Sequence, residues 1–388
     1  MSLARQVSAA CACAWLLLAL VAPSAARAGR DALAEHAKAS LWRGLGHAGE
    51  RRAQDLFRQA LAELRLANRQ LPDWVSVCSR TLGPGFGGDS LPSLRGRARA
   101  LRELSRQALR KRAHVEAALV RLQRATELDP ESPEILYALA EALMHWEQPG
   151  PTWRCESQRR DDEALQTLQR LQREHPSFQA DEIAFELAVL FARLQRFAEA
   201  GQAYAQSMTL SLDHGETSVA LANLAEMTML AGDLEGAVEH YGRALRVASS
   251  GRDYPLALWG RAVALDRLGE HDAAMQDAQK ATETEGGHML VLRSDGVFFE
   301  PPHEIDYYEG LGHEALAARP DADRAGELAA AAASFEAFIA AAGDSGPFTA
   351  AARASLERIQ TARRALPART AQTPKRRYRP RITADTLP

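Results

Sequence analysis

A helix–turn–helix unit recurs along the middle of this 388-residue chain and constrains its fold more than any other feature. Residues 218–251 show the unit clearly, because apolar residues return every three or four positions in two segments, the spacing of one helix face. The segments are separated by Ala231, Gly232 and Asp233. Glycine tolerates positive φ and aspartate bonds its own backbone, so this tripeptide predicts a tight turn between two short helices.

The same unit is found in register on both sides. Ala200, Ala237 and Ala274 are spaced by 37 residues twice, and small residues at such positions let two helices approach closely. Other apolar residues match across the copies: Leu187, Ala188, Phe191, Tyr204, Leu221, Leu224, Ala225, Tyr241, Leu258, Ala262, Leu265, Ala278 and Ala281. Three consecutive helix pairs are therefore predicted, at residues 181–214, 218–251 and 255–288.

This pattern resembles the tetratricopeptide repeat (TPR), a helix–turn–helix unit of about 34 residues. The resemblance implies an all-α solenoid of five or six repeats, with the clear solenoid at residues 113–288. The resemblance itself is firm over residues 115–281, weaker over 307–359 and weakest before residue 94. An apolar content of 46% with only 6% aromatic residues suits such a fold. Before the solenoid, residues 29–112 are predicted to be a degenerate helical region that contains a glycine-rich loop at 74–92. Two helices are predicted in residues 94–128, and an insertion at 148–158 interrupts the solenoid. After the solenoid, a degenerate repeat with a capping helix is predicted at 303–363.

One segment departs from the helical pattern. Residues 289–300 contain two short apolar runs around Ser294, Asp295 and Gly296, which predicts a small β-hairpin with strands at 289–292 and 297–300. An isolated hairpin is marginal alone, so we expect this insertion, bounded at 289–302, to pack on the solenoid.

The first 28 residues have the pattern of a secretory signal peptide. Arg5 supplies a positive start, residues 9–21 are apolar, and Ala26-Arg27-Ala28 is typical of a cleavage site. The apolar run is shorter than the roughly 20 residues that span a bilayer. The pattern predicts an exported protein, periplasmic or secreted, with an uncleaved anchor as the alternative and no later membrane-crossing segment.

Two cysteines remain beyond that segment, Cys78 and Cys155. An oxidising compartment favours a disulfide between them, whereas two unpaired thiols are the alternative, since the sequence does not show that they are close.

Residues 364–388 are predicted to be disordered, because they are rich in proline and basic residues and poor in apolar ones. This basic tail suggests electrostatic contact with an anionic surface, such as lipid headgroups, an acidic glycan or the acidic body of the chain itself. A simple solubilising role is the alternative.

The sequence carries no recognisable catalytic motif. The eleven histidines form no metal-binding spacing, no Gly-x-Ser-x-Gly elbow occurs, and the glycine cluster lacks the context of a phosphate-binding loop. We therefore expect no catalytic, metal or cofactor site, and the net charge of −3 argues against nucleic acid as a partner.

The resemblance instead implies a concave groove, lined mainly by first helices, that binds segments of partner proteins. The TPR carboxylate clamp for chaperone tails is matched only at Asn223. For Tyr137, Phe185 and Trp259, packing between neighbouring repeats is the alternative to binding. The groove positions carried over to this chain are Tyr137, Glu141, His145, Phe185, Arg193, Asn223, Glu226, Met229, Trp259, Asp266 and Arg267.

The predicted function is a non-catalytic scaffold of the cell envelope or secreted space that holds a partner protein in this groove. One alternative is an adaptor docked on a surface through the basic tail. The other is an accessory subunit of an envelope enzyme complex.

Overall fold

The computed structural model describes residues 48–68, 91–150, 157–211, 217–248, 251–294, 297 and 299–366. The predicted signal peptide, Cys78, Cys155 and the tail beyond residue 366 lie outside these residues, as does the glycine-rich loop up to residue 90. Within them the chain is a row of thirteen α-helices and one two-stranded sheet.

Successive helices pack against each other along the row. The first group is α1 Ala48–Ala67, α2 Leu91–Leu128, α3 Pro133–His145, α4 Asp161–Glu174, α5 Ala180–Arg193, α6 Phe197–Leu210 and α7 Ser218–Leu230. The second group is α8 Leu234–Val247, α9 Asp253–Leu268, α10 His271–Thr284, α11 Glu304–Ala317, α12 Arg324–Ala342 and α13 Thr349–Arg364. The three predicted pairs are confirmed as α5/α6, α7/α8 and α9/α10, and the fold is the predicted TPR-type solenoid.

The sequence encodes where the repeat helices begin and end. Thr217 caps α7 by accepting a hydrogen bond from the amide of Ala220 at 3.1 Å, and Asp233 caps α8 by accepting from the amide of Gly236 at 2.9 Å. Gly232 has φ +98° in the predicted turn. A side chain at that φ is strained, so the glycine lets the chain reverse between the two helices.

Small residues set the distance between neighbouring helices. Ala200, Ala237 and Ala274 are completely buried, as are their counterparts one helix earlier, Ala188, Ala225 and Ala262. Each set recurs every 37 residues, so the buried contact repeats from pair to pair. The first helices contact each other directly, α7 with α9 and α9 with α11, and therefore line the inner side of the row.

The amino-terminal part differs from the prediction in one respect. Residues 94–128 belong to one continuous helix, the 38-residue α2 (Leu91–Leu128), rather than to two. No proline occurs after Pro92 and no glycine after Gly96 in this stretch, so nothing interrupts the helix. Its packing on α1 buries Ala53, Phe57 and Ala60 completely, which keeps the pair repeat-like.

A small β-hairpin is present, but it lies elsewhere than predicted. Strand β1, Glu147–Pro149, pairs antiparallel with β2, Ser157–Arg159, at the two ends of the predicted insertion. In the segment expected to be a hairpin, Leu290–Arg293 form a 3-10 turn. The amide of Val291 donates to a Glu285 carboxylate oxygen at 2.7 Å, and this contact with α10 replaces the cross-strand bonds that a strand would need.

Helix α12 has the length and mean hydropathy, 1.3, of a membrane-crossing helix, contrary to the expectation for this region. Its apolar character comes from alanine, and its larger side chains pack within the repeats. Leu328, Phe335 and Phe338 are buried in the same core as Tyr307 and Leu311 of α11. In this structure α12 is the second helix of a pair.

Gly260, in the middle of α9, offers a test of the close approach between helices α8 and α9. A Cβ atom built on Gly260 would overlap the buried ring of Tyr241. Gly260→Ala is expected to destabilise the chain by about 1–3 kcal/mol, because this overlap outweighs the gain in helix propensity. Urea unfolding followed by circular dichroism measures the change.

Gly242, in α8, is the matched control. The nearest atoms to a Cβ there are 3.8 Å and 3.9 Å away, an ordinary contact distance. Gly242→Ala should stabilise the chain by about 0.5–1 kcal/mol. Equal effects of the two substitutions would contradict the packing of Tyr241 against α9.

Candidate protein-binding groove

A cavity of about 130 Å³ opens on the inner side of the row, between α6, α7 and α9. Helix α7 supplies one wall through Ser218, Val219, Ala222, Asn223, Glu226 and Met227. The other walls are formed by Ala192, Tyr204, Tyr241, Arg252, Asp253, Leu256, Gly260, Leu292, Val297, Phe299, Glu300 and Tyr308. The cavity is thus built from three consecutive repeats and from the segment that links α10 to α11.

The described residues of that linking segment line the cavity and are hydrogen-bonded at both ends. At its start, Glu285 accepts hydrogen bonds from the Val291 amide and, at 3.0 Å, from the indole nitrogen of Trp259. At its end, Glu300 accepts from Arg159 of β2 at 2.8 Å. The hairpin after α3 and the link after α10 are therefore in contact, although the two residues lie 141 positions apart in the sequence.

Two of the predicted groove residues line the cavity. Asn223 and Glu226 both project from α7 and are half-buried. Phe185, on α5, is also half-buried and contacts the ring of Tyr204 edge-on, with 5.3 Å between centroids. Asn223 and Glu226 thus lie on the first helix α7, and Phe185 lies on the first helix α5 outside the cavity lining.

Five other predicted residues are buried in the fold, which corrects the expectation that they are available to a partner. Trp259 is 0% exposed and packs between repeats, the alternative role considered from the sequence. Tyr137 has the same role and contacts Phe178 edge-on at 6.2 Å. The remaining three are Met229, Asp266 and Arg267.

The last three predicted groove residues, Arg193, His145 and Glu141, are polar and already have partners within the chain. Arg193 donates to the Met144 carbonyl and to Asp161, both at 3.2 Å, and so joins α5 to the preceding pair. His145 lies 3.8 Å from Glu141, four residues earlier on α3. They border the inner face without lining the cavity.

Two carboxylates of α5, Glu182 and Glu186, lie on the inner face beside the predicted Glu141 of α3. Burial raises the pKa of Tyr137, and the negative charges of Glu186, Glu182 and Glu141 raise it further, which places these three carboxylates around one buried ring. One oxygen of Glu182 is buried without a hydrogen-bond partner among the described residues. Glu182 and Glu186 are four residues apart on a predicted first helix, and this spacing was a usable signal for an acidic face.

The environment of these carboxylates disfavours negative charge. Burial raises the pKa of Glu186 to about 7, with the charge of Glu182 adding to the effect and Arg193 opposing it. Burial also raises the pKa of Glu226 to about 8, together with the charge of Glu304 and against that of Arg267. Among the described residues no group donates a hydrogen bond to Glu226 or Glu186. On α5 and α7 the inner face thus presents two carboxylates, Glu186 and Glu226, whose negative charge is disfavoured by burial.

The described residues contain no group of three or more histidine, cysteine, aspartate or glutamate side chains placed to hold a metal ion. The walls of the cavity combine polar groups with aromatic rings.

No known protein family matches the sequence, and no curated protein matches it. Solved structures do resemble it at low identity. PilF from Pseudomonas aeruginosa is 17% identical over 69% of this chain and 99% of its own, with a TM-score of 0.39. A tetratricopeptide repeat protein from Parabacteroides merdae is 14% identical over 80% and 99%, with a TM-score of 0.37. YrrB, described as a TPR protein with an unusual peptide-binding site, is 16% identical over 50% and 95%, with a TM-score of 0.37.

The class of the protein is defined by its own helix pairs, their 37-residue repeat and the row of first helices along the inner face. The chain is a TPR-type α-solenoid.

Proposed function

We propose that this protein is a non-catalytic scaffold that holds a segment of a partner protein in the groove formed by α5, α7 and α9. A stack of helix pairs buries one face of each helix against its neighbours and leaves an extended concave surface, which proteins of this class use for binding. The observation that supports the proposal is the cavity in this surface, where half-buried polar groups and aromatic rings converge.

The proposal extends to the place where the protein acts. The signal-peptide pattern of residues 1–28 supports an exported protein whose partner is found in the cell envelope or in the secreted space. The mature chain would then begin at Gly29.

The test is affinity capture with a variant that fills the cavity. Ala222 lies in the cavity wall on α7, and Ala222→Trp would occupy the space with an indole. We expect the wild-type chain, cross-linked in envelope and secreted fractions, to capture one stoichiometric partner and the variant to lose at least about tenfold of that partner. The amino-terminal residue of the same sample shows whether residues 1–28 have been removed.

Val247→Trp is the matched control, since Val247 is 46% exposed on α8 and lies outside the cavity. It adds the same side chain to the surface and should leave capture unchanged. Capture that survives Ala222→Trp would overturn the groove as the binding surface. Capture that depends only on the basic tail and fails at high salt would favour the surface-docked adaptor instead.

A further inference from the structure

The cavity has the composition of a site for a positively charged side chain. Three tyrosine rings, Tyr204, Tyr241 and Tyr308, lie in its walls, and Phe299 packs against Tyr308 with 4.9 Å between ring centroids. The faces of aromatic rings carry partial negative charge and attract cations, most strongly where water is excluded. A cluster of rings around one small cavity therefore favours a cation over a neutral group.

The polar groups in the walls have the same preference. Glu226, Asp253 and Glu300 contribute three carboxylates against the single guanidinium of Arg252. Glu300 already binds Arg159, whereas no described residue donates a hydrogen bond to Glu226. Glu226 is the carboxylate that a bound cation would meet.

A second, independent observation points to a missing ligand. Ser218, at the start of α7, is 8% exposed and lies in the cavity wall, yet its hydroxyl has no hydrogen-bond partner among the described residues. A buried hydroxyl without a partner is destabilising, and such groups are rare in native structures. A ligand with several N–H donors would satisfy this hydroxyl and Glu226 together.

We propose that the cavity receives a cationic side chain, lysine or arginine, from the partner segment that lies in the groove. This inference rests on the proposed function and specifies the chemistry of the partner. An extended segment that follows the inner face would also pass Glu186 and Glu182, so further basic residues in it would meet further carboxylates.

The charges around Glu226 determine how binding should vary with pH. Burial and the charge of Glu304 hold its pKa near 8, so most of the population is protonated at pH 7 and must lose that proton to pair with a cation. Affinity for a cation should therefore rise about tenfold from pH 7 to pH 9. The charged and titratable groups that face Glu226 from the surrounding elements are Tyr204, Tyr241, Arg252, Asp253, Arg267, Glu300, Glu304 and Tyr308.

The test uses the full chain and two small probes, Nα-acetyl-arginine N-methylamide and its neutral isostere, Nα-acetyl-citrulline N-methylamide. Titration followed by NMR gives the affinity of each. We expect the arginine probe to bind at least tenfold more tightly than the citrulline probe, to perturb the signals of Ser218 and Tyr308, and to bind more tightly at pH 9 than at pH 7.

Glu226→Gln should remove both the preference for arginine and its pH dependence. Glu235→Gln, which changes an exposed glutamate on α8 outside the cavity, should leave both unchanged. Equal affinities for the two probes, or a preference that survives Glu226→Gln, would overturn the inference. The scaffold proposal would still stand if Ala222→Trp abolished partner capture, so the two ideas fail separately.

The basic tail of the chain is another source of the same chemistry, since residues 375–381 include Lys375, Arg376, Arg377, Arg379 and Arg381. Replacing these five residues with glutamine in the full chain distinguishes the two sources. Unchanged affinity for the arginine probe supports a partner segment. A gain of tenfold or more would show that the tail occupies the cavity in the intact chain and would overturn assignment to a partner.

Discussion

Replacing Asp266 with alanine is expected to destabilise the chain by about 3–5 kcal/mol, because four hydrogen bonds end on this buried carboxylate. Asp266 lies at the end of α9. It accepts from the Tyr307 hydroxyl at 2.7 Å, the Ser355 hydroxyl at 2.9 Å, the Arg358 guanidinium at 2.8 Å and His271 Nδ1 at 2.8 Å. One side chain thus joins four helices, α9, α10, α11 and α13, and fixes the last helix on the stack.

The charge of Asp266 is stabilised despite its burial. Burial alone would raise the pKa of this carboxyl, but the hydrogen bond from His271, the charge of Arg358 and the hydroxyl donors outweigh it and hold the pKa below its usual value. The hydrogen bonds that His271 makes with Asp266 and Glu314 also raise the pKa of His271, to about 9. Protonated His271 is therefore part of the native network at neutral pH.

The same network predicts a pH dependence. The folded chain keeps the His271 proton up to about pH 9, whereas the unfolded chain loses it near pH 6.5. The stabilisation from this histidine is fully present below about pH 6.5 and is lost as the pH rises through 9. Asp266→Asn should remove this loss of stability between pH 6.5 and pH 9. Urea unfolding of the variant and of the wild type at several pH values would measure the difference.

Asp344→Ala is the control for Asp266→Ala. Asp344 also pairs with an arginine of α13, Arg353, but its side chain is 96% exposed. Exposed ion pairs contribute little, so this variant should change stability by less than about 1 kcal/mol. A similarly small effect of Asp266→Ala would contradict its role in fixing α13.

The second large effect is expected at Arg267, the next residue on α9. Its guanidinium pairs with Glu304 at 2.5 Å, and the pair is almost completely buried. The rings of Phe348 and Tyr307 lie 4.0 Å and 4.5 Å from the guanidinium carbon. Arg267→Met should destabilise the chain by about 3–5 kcal/mol, since it leaves the carboxylate of Glu304 buried without a counter-charge.

A double-mutant cycle separates this cause from simple loss of packing. Adding Glu304→Gln to Arg267→Met removes the uncompensated charge and should restore at least half of the lost stability. Additive losses in urea unfolding would show that the pair contributes through packing alone. The variant also bears on the groove, because Arg267 lowers the pKa of Glu226 and Glu304 raises it.

Much of the repeat architecture was predictable, because the signals for it lie within each helix pair. The alanines at 37-residue spacing and the glycine and aspartate at the turn act over a few residues. They predicted the three helix pairs α5/α6, α7/α8 and α9/α10. Where the signals were absent, the predictions failed: residues 94–128 contain no helix breaker after Gly96, and the apolar run at 289–292 did not indicate a 3-10 turn.

The site was predicted less completely. Asn223 and Glu226 were placed in the groove from their repeat positions, but Tyr204, Tyr241 and the carboxylates of α5 were not. The two tyrosines occupy equivalent repeat positions, which the pattern assigns equally well to a core or to a cavity wall. Trp259 was predicted to line the groove because it lies on a first helix, but its side chain is completely buried.

The sequence by itself determined that this chain forms helix pairs, where most of them begin and end, and which small residues lie between them. These properties depend on backbone propensity and on helical periodicity, which act between residues close in the chain. The tertiary structure alone decided which face of each first helix is covered by the next repeat. It also decided that the segment between α10 and α11 lines the cavity. It also brought together Arg159 with Glu300 and Asp266 with α13, because such contacts depend on how successive repeats are rotated, and no local pattern encodes that rotation.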